Sequence, residues 1–258
     1  KPNCKLHHIY CALEILAKEN VFFQSQLYKN SEMVLNQHKR VLYYDCTNYY
    51  FEIEESDDFR KYGHSKENRP NPIVQMGLFM DADGIPLPFS LFNGNENEQP
   101  SMKPLEKKIL SDFGITKFIV CTDAGLSSTS NRVFNNTPNL KFVTTQPIKK
   151  LKGHLKDYCL DEDVATEEER YDGFYAVCTN LEDDVATIIS INQKRWQIEE
   201  YFRIMKSEFQ AGPVYLSRKN RITAHFITCF TALILYRILE KKLGESYTTE
   251  SIIRTLKE

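Results

Sequence analysis

The order of strand-like and helix-like segments is the feature that most limits the folds open to this chain. Residues 41–51, 73–80 and 86–92 are rich in β-branched and aromatic side chains, which predicts three strands, and residues 81–84 indicate a tight hairpin turn between the last two. The next predicted elements are a helix at 102–111, a strand at 117–122, a helix ending near 134 and a strand at 141–145. Because a strand–helix–strand crossover makes neighbouring strands parallel and a hairpin makes them antiparallel, this order predicts an α/β fold with a mixed sheet flanked by helices.

Helical segments lie on both sides of this predicted sheet region. Residues 9–18 and 21–35 have few Gly or Pro, so we expect two helices that pack on the sheet or link to it. Further helices are predicted at 183–191, 194–206, 222–243 and 249–256.

The segment 146–180 interrupts this pattern. It contains a basic patch that includes Lys149 and Lys150, then an acidic run, and it ends in the strand-like residues 173–179. We interpret it as an insertion. The two lysines are candidate DNA-binding residues that contact phosphates, although a solvated loop is an equally good interpretation of such a patch.

Composition favours a globular protein over one that coats nucleic acid. Hydrophobic residues make up 41% and charged residues 26% of the chain, and the formal net charge is −2. This charge excludes binding driven by bulk positive charge but allows a local basic groove. The seven cysteines contain no Cys-x-x-Cys pair, which predicts reduced thiols rather than a zinc site. The longest apolar run, 226–239, is interrupted by polar residues and is expected to be too short to span a bilayer, so no membrane partner is predicted.

The predicted helix at 194–206 has a charged face. Arg195, Glu199 and Lys206 are separated by four and then seven positions, so they line up on one side of a helix of 3.6 residues per turn. An ordinary solvent-exposed ion pair explains an arginine and a glutamate at this spacing equally simply. Glu200 competes with Glu199 as the functional acid, but it lies on a different face from Lys206, so we favour Glu199.

Two further carboxylates occur at predicted strands. Asp45 lies in the first strand and Asp123 directly follows the fourth, so the crossover rule brings both towards one sheet edge, where Glu199 of the helix can join them. Converging carboxylates repel one another, and a hard divalent cation with oxygen ligands relieves that repulsion. A pair of such ions suits phosphodiester chemistry. The alternative is structural: a polar residue at a strand bend for Asp45, and a turn or helix cap for Asp123.

Together these residues resemble the catalytic domain of DDE transposases of the insertion-sequence-four-like group, over roughly residues 40–243. That group carries an arginine, a glutamate and a lysine at the spacing of Arg195, Glu199 and Lys206. They follow a tyrosine whose place is held here by Asn192. Other similar stretches are 43–47 and 121–125 around the first two acids, 62–69 between them, and 213–216.

The resemblance implies an RNase H-like fold and a division of the chain. Residues 40–145 and 181–243 would form the catalytic domain, with 1–39 a helical linker or packing segment, 146–180 a short insertion before the last catalytic helix, and 244–258 a C-terminal helical tail. It further implies that Asp45, Asp123 and Glu199 are catalytic and hold two Mg²⁺ ions, for which Mn²⁺ can substitute. Arg195 and Lys206 would then contact DNA phosphates.

The activity implied is that of a metal-dependent transposase. It would hydrolyse phosphodiesters at transposon ends and then join the freed 3′-hydroxyl to target DNA. Double-stranded DNA and a second copy of the chain, bound as a homodimer on DNA, are the expected partners, in the bacterial cytoplasm and associated with the nucleoid. The chain begins at Lys1, so we expect it to be part of a longer protein. An RNase H-like nuclease limited to hydrolysis, or a non-catalytic DNA- or protein-binding relic of the fold, remain alternatives.

Overall fold

The structure, a computed structural model, describes residues 4–148, 175–244 and 247–257. The strands are β1 (Val41–Tyr50), β2 (Ile73–Asp81), β3 (Pro86–Asn93), β4 (Phe118–Thr122), β5 (Leu140–Pro147) and β6 (Tyr175–Thr179). The helices are α1 (Leu6–Lys18), α2 (Asn20–Glu32), α3 (Met102–Asp112), α4 (Thr129–Phe134), α5 (Val185–Gln193), α6 (Trp196–Ser207), α7 (Lys219–Lys242) and α8 (Thr249–Lys257).

The strands form one six-stranded sheet in the order β3-β2-β1-β4-β5-β6. The first three strands pair antiparallel, β1, β4 and β5 are parallel, and β6 returns antiparallel to β5. The predicted α/β class with a mixed sheet flanked by helices is therefore confirmed. Strand β1 pairs with β2 on one side and with β4 on the other, so it is a central strand. It is buried along almost its whole length.

Alternate residues of β1 point to opposite faces of the sheet and join two separate cores. Tyr43 and Tyr49 belong to the core that contains α6 and α7. Leu42 and Tyr44 belong to the core on the other face, which contains α3. Asp45 shares the alternation of Tyr43 and Tyr49, so the strand period directs it to the face covered by α6.

Helix α7 is the main helix of the first core. Its buried residues include Phe226, Phe230 and Leu233, and α1 and α2 pack against it. The prediction that its apolar stretch is too short to span a bilayer was wrong, because the helix is 24 residues long and passes the length and hydropathy test for a membrane span. In its most apolar 18-residue stretch, 56% is buried inside the protein. Helices in the core of a globular protein can have the same length, apolar composition and burial, and α7 is packed in this way.

Two predicted boundary segments contribute to the structure. Strand β6 lies within the predicted insertion 146–180 and extends the sheet by pairing with β5. Helix α8 lies within the predicted C-terminal tail, and its Ile252 and Ile253 are buried in the same core as α7. The division of the chain into domains stays a prediction.

Candidate active site

Asp45 is a carboxylate in the middle of the central strand. It pairs with Leu78 of β2 and is only 9% exposed. The backbone N–H of Cys46 donates a hydrogen bond to its Oδ1 at 2.7 Å. The aspartate is therefore held rigidly while one carboxylate edge faces the α6 side of the sheet.

Several neighbours set the charge state of Asp45. Burial raises its pKa to about 6, and the nearby charge of Asp123 acts in the same direction. Lys66 makes the largest opposing contribution, followed by the Cys46 hydrogen bond and Arg195. The pKa of Asp45 is thus raised mainly by burial, with a smaller contribution from repulsion by Asp123, and is held down by Lys66 and Arg195.

Asp123 lies where β4 ends, at the carboxyl end of a parallel strand. Its Oδ1 accepts a hydrogen bond from the Leu126 N–H at 3.1 Å, so it caps the short 3₁₀ turn Ala124–Leu126. Thr144 of β5 donates to the Asp123 carbonyl at 3.1 Å and holds this backbone against the sheet. The predicted capping role is present, and the same residue also faces Asp45.

Helix α6 places a row of charged side chains beside these aspartates. The Arg195 guanidinium donates to Glu199 Oε1 at 2.8 Å, and the Glu199 side chain is 54% exposed. Glu200 instead pairs with Arg203, at 2.5 Å, and lines a different pocket, between α6 and α7. The helix therefore separates the two glutamates as the residue spacing predicts, with Glu199 on the side of Asp45.

The predicted residues meet in one open groove of about 560 Å³. Its lining is Asp45, Cys46, Thr47, Lys66, Asp123, Arg195, Glu199, Phe202, Arg203 and Lys206. All three predicted acids therefore line the same groove as the predicted cations Arg195 and Lys206. Within the residues described, no group of three or more His, Cys, Asp and Glu side chains is close enough to hold a metal ion as they stand. Glu199 is engaged with Arg195 instead.

Lys66 also lines the groove, although no sequence pattern predicted it there. This residue comes from the loop between β1 and β2 and lies in the groove next to Asp45. Lys66 lies within residues 62–69, and the resemblance of this stretch to the transposase group is the feature from which its place in the groove could have been predicted. Lys149 and Lys150, the other predicted DNA-binding residues, lie outside the residues that the structure describes.

Lys206 is held at the end of the groove by two contacts. Its ammonium pairs with Glu67 at 2.8 Å and lies 5.5 Å from the centre of the Tyr49 ring. Asn192, which the resemblance aligned with a tyrosine, lies near the end of α5, and its Oδ1 is buried without a hydrogen-bond partner among the described residues.

Comparison with known proteins agrees with this architecture. A family model described as "Transposase DDE domain" matches residues 37–235. A solved structure, the piggyBac transposase synaptic complex with hairpin DNA, is similar in fold with a TM-score of 0.54 and 11% sequence identity. The match covers 84% of this chain and 51% of that one, so this chain spans about half the length of that transposase. No curated protein sequence matches the chain.

Proposed function

Because this chain belongs to the transposase DDE domain family, we propose that it cuts phosphodiester bonds at transposon ends and then joins the freed 3′-hydroxyl to target DNA. The observation that carries the proposal is the groove lined by Asp45, Asp123 and Glu199 together with Arg195, which directly precedes α6, and Lys206 of α6. Acids and phosphate-binding cations in one open groove suit a phosphodiester substrate better than a small apolar ligand.

The donor set fits divalent cations in its chemistry. Asp45 and Asp123 are oxygen ligands whose mutual repulsion contributes to the raised pKa of Asp45. We propose that these two residues hold the metal, with Glu199 joining them after its ion pair with Arg195 opens. Two bound Mg²⁺ ions, or Mn²⁺ in their place, would activate the attacking oxygen and stabilise the leaving oxygen.

The cations of the groove would position the scissile strand. Arg195 can bind a phosphate through two N–H groups, and this contact would replace its pair with Glu199. Lys206 would contact a neighbouring phosphate as a point charge. The same phosphate contact that orients DNA thereby releases the Glu199 carboxylate towards the aspartates, so substrate binding and completion of the acidic site are coupled.

The reaction would proceed in two displacements at phosphorus. Water attacks the phosphodiester at the element end, the P–O3′ bond breaks, and a 3′-hydroxyl is left on the element. That hydroxyl then attacks a phosphodiester of the target, and the target's 3′-oxygen leaves. The buried Asp45 and Asp123, which caps the turn Ala124–Leu126, would be held in place through both steps, which is the preorganisation that such chemistry requires.

Finer assignments follow from the resemblance and belong to the same proposal. The spacing of Arg195, Glu199 and Lys206 favours the insertion-sequence-four-like group, and double-stranded DNA bound by a homodimer is the proposed assembly. Action on the bacterial nucleoid is part of this proposal. A nuclease that stops at hydrolysis is the rival, and it differs only in the second displacement.

Substitution of each acid tests the assignment. We expect Asp45→Asn, Asp123→Asn and Glu199→Gln each to reduce Mg²⁺-dependent plasmid nicking by more than about 100-fold, because each removes a carboxylate ligand. Glu200→Gln is the matched control, since this neighbouring glutamate lines the pocket between α6 and α7 and not the groove. Its partner Arg203 does line the groove and is left in place by this substitution. The Glu200→Gln variant should retain activity within a few fold.

A strand-joining assay separates the transposase from the nuclease. A duplex with a free 3′-hydroxyl at the element end is incubated with plasmid, protein and Mn²⁺, and joined products are counted. Nicking without joining would favour the nuclease. Nicking that survives in all three acid variants would overturn the site assignment.

A further inference from the structure

The stretch 62–69 forms the end of the loop between β1 and β2 and returns to the active-site groove. The side chain of Asn48, in β1, donates from Nδ2 to the His64 carbonyl at 3.1 Å and accepts at Oδ1 from the Lys66 N–H at 3.2 Å. Ser65 is buried and its Oγ accepts from the N–H groups of Glu67 and Arg69. Asn48, three positions after Asp45 on β1, thus holds the backbone on either side of Ser65.

This clamp brings the Lys66 ammonium next to the first acid. Its Nζ donates to the Cys46 carbonyl, directly after Asp45, and lies 3.6 Å from Glu98 Oε1. The pair with Glu98 is long, and the two side chains are 38% and 31% exposed. An ion pair of this kind is weak in water and is easily exchanged for another anion.

We propose that Lys66 is a third phosphate-contacting cation of the groove, contributed by the β1–β2 loop alongside Arg195, which directly precedes α6, and Lys206 of α6. This inference rests on the proposed function, because it assumes that DNA occupies the groove. In the DNA-free protein the Lys66 ammonium pairs with the Glu98 carboxylate. When DNA binds, a backbone phosphate replaces this carboxylate as the partner of Lys66. A lysine suits this position because its ammonium needs no fixed bidentate geometry.

The loop and α6 are also linked to each other. Glu67 follows Lys66 directly and pairs with Lys206 at 2.8 Å. The loop therefore contributes one cation to the groove and holds a second one in place. Lys66 from the loop, and Arg195 and Lys206 from the region of α6, thus bring positive charge to the acidic site. A local concentration of cations of this kind would allow DNA binding by a chain whose net charge is −2.

The salt dependence of DNA binding tests this role without requiring catalysis. The affinity of the protein for a short duplex of arbitrary sequence is measured in EDTA over a series of salt concentrations, for the unchanged chain, Lys66→Gln and Lys61→Gln. Lys61 is the matched control in the same loop. Its backbone forms a β-bridge with Ile73, the first residue of β2, whereas Asp45 pairs with Leu78 further along that strand. Each phosphate contact contributes about 0.9 to the slope of log affinity against log salt.

We expect Lys66→Gln to lower this slope by about 0.9 and Lys61→Gln to leave it unchanged. Equal slopes for Lys66→Gln and the unchanged chain would overturn the inference and assign Lys66 a purely structural role at the Cys46 carbonyl. Loss of nicking in the acid variants together with unchanged slopes would retain the proposed function and reject only this contact. Absence of any salt-dependent duplex binding by the unchanged chain would reject both.

A second variant covers the case in which Lys66→Gln does not fold. Glu98→Gln leaves the lysine in place and removes the carboxylate that competes with phosphate. Its duplex affinity should rise several-fold relative to Glu55→Gln, an exposed control in the β1–β2 loop with the same change in net charge. Equal or weaker affinity for Glu98→Gln would overturn the inference.

Discussion

At the scale of single residues, the protein keeps several carboxyl groups away from water, and not all of them belong to the groove. Glu106 of α3 is fully buried, and the Asn135 amide donates to its Oε1 at 2.7 Å. Glu106 Oε2 and Asn135 Oδ1 are both buried without a hydrogen-bond partner among the described residues. If Glu106 is protonated, its Oε2–H group is a hydrogen-bond donor beside the amide whose Oδ1 acceptor, on Asn135, is unpaired. This arrangement favours the neutral form of Glu106.

Glu106 should therefore make stability depend on pH. Burial raises its pKa to about 7, against smaller lowering effects of the Asn135 hydrogen bond and Lys103. The folded state then holds a proton that the unfolded chain has lost, so stability falls as the pH rises from about 4.3 to about 7. We expect Glu106→Gln, whose amide donates and accepts in the same places, to be more stable than the unchanged chain by about 2–3 kcal/mol at pH 8.

Urea unfolding across this pH range measures the effect. The difference between Glu106→Gln and the unchanged chain should shrink towards zero near pH 4, while Glu55→Gln, an exposed control, should show no such trend. A Glu106→Gln variant that is less stable at pH 8 would show that the folded protein uses the ionised carboxylate.

At the scale of elements, close packing between β1 and β2 sets the position of the strand that carries Asp45. A Cβ added at Gly77 would lie 2.1 Å from Tyr44 Oη and 2.9 Å from its Cζ. Tyr44 is fully buried and shares a hydrogen bond with Ser101 at 2.6 Å, so its ring has no room to withdraw. The glycine allows the tyrosine to lie flat across the neighbouring strand, directly beside Cys46.

We expect Gly77→Ala to destabilise the protein by about 2–4 kcal/mol, because the added methyl group overpacks a core that cannot expand. The cost should fall by at least about 0.5 kcal/mol in a Tyr44→Phe background, which removes the nearest atom. Chemical denaturation of the four proteins of this double-mutant cycle gives the coupling. Strictly additive effects would place the strain elsewhere in the sheet.

At the scale of the whole molecule, one sheet separates two cores, and terminal helices complete the core on the α7 side. Ile252 and Ile253 of α8 are buried with α7, although the sequence places them in a C-terminal tail. Helices α1 and α2 pack on α7 from the other end of the chain. Residues far outside the family match, which ends at 235, are therefore part of the same hydrophobic core.

The contribution of α8 can be measured by two substitutions on the same helix. Ile252→Ala removes a buried side chain and should cost about 2–4 kcal/mol of unfolding free energy. Leu256→Ala changes a side chain that is 68% exposed and should cost less than about 0.5 kcal/mol. Equal, small effects in thermal or urea unfolding would show that α8 is an independent tail.

Local sequence patterns were sufficient to predict most strands and helices and to select the acids that line the groove. Runs rich in β-branched and aromatic residues predicted β1, β2 and β3 to within a few residues, since strand propensity, like periodicity, is a local property. The crossover rule placed Asp45 and Asp123 at one edge, and helical spacing separated Glu199 from Glu200. Each of these inferences needs only local periodicity or the order of elements.

Which distant groups share the groove, and how their charges influence one another, depends on the folded arrangement of the chain. Lys66 reaches Asp45 because Asn48 clamps a loop whose path no local pattern predicts. The raised pKa of Asp45 depends on burial and on Asp123, which is 78 positions away. The pairing of Glu199 with Arg195 rather than with the aspartates likewise depends on side-chain positions. Solvent exclusion and Coulomb interactions act through space, so they are settled only when the chain has folded.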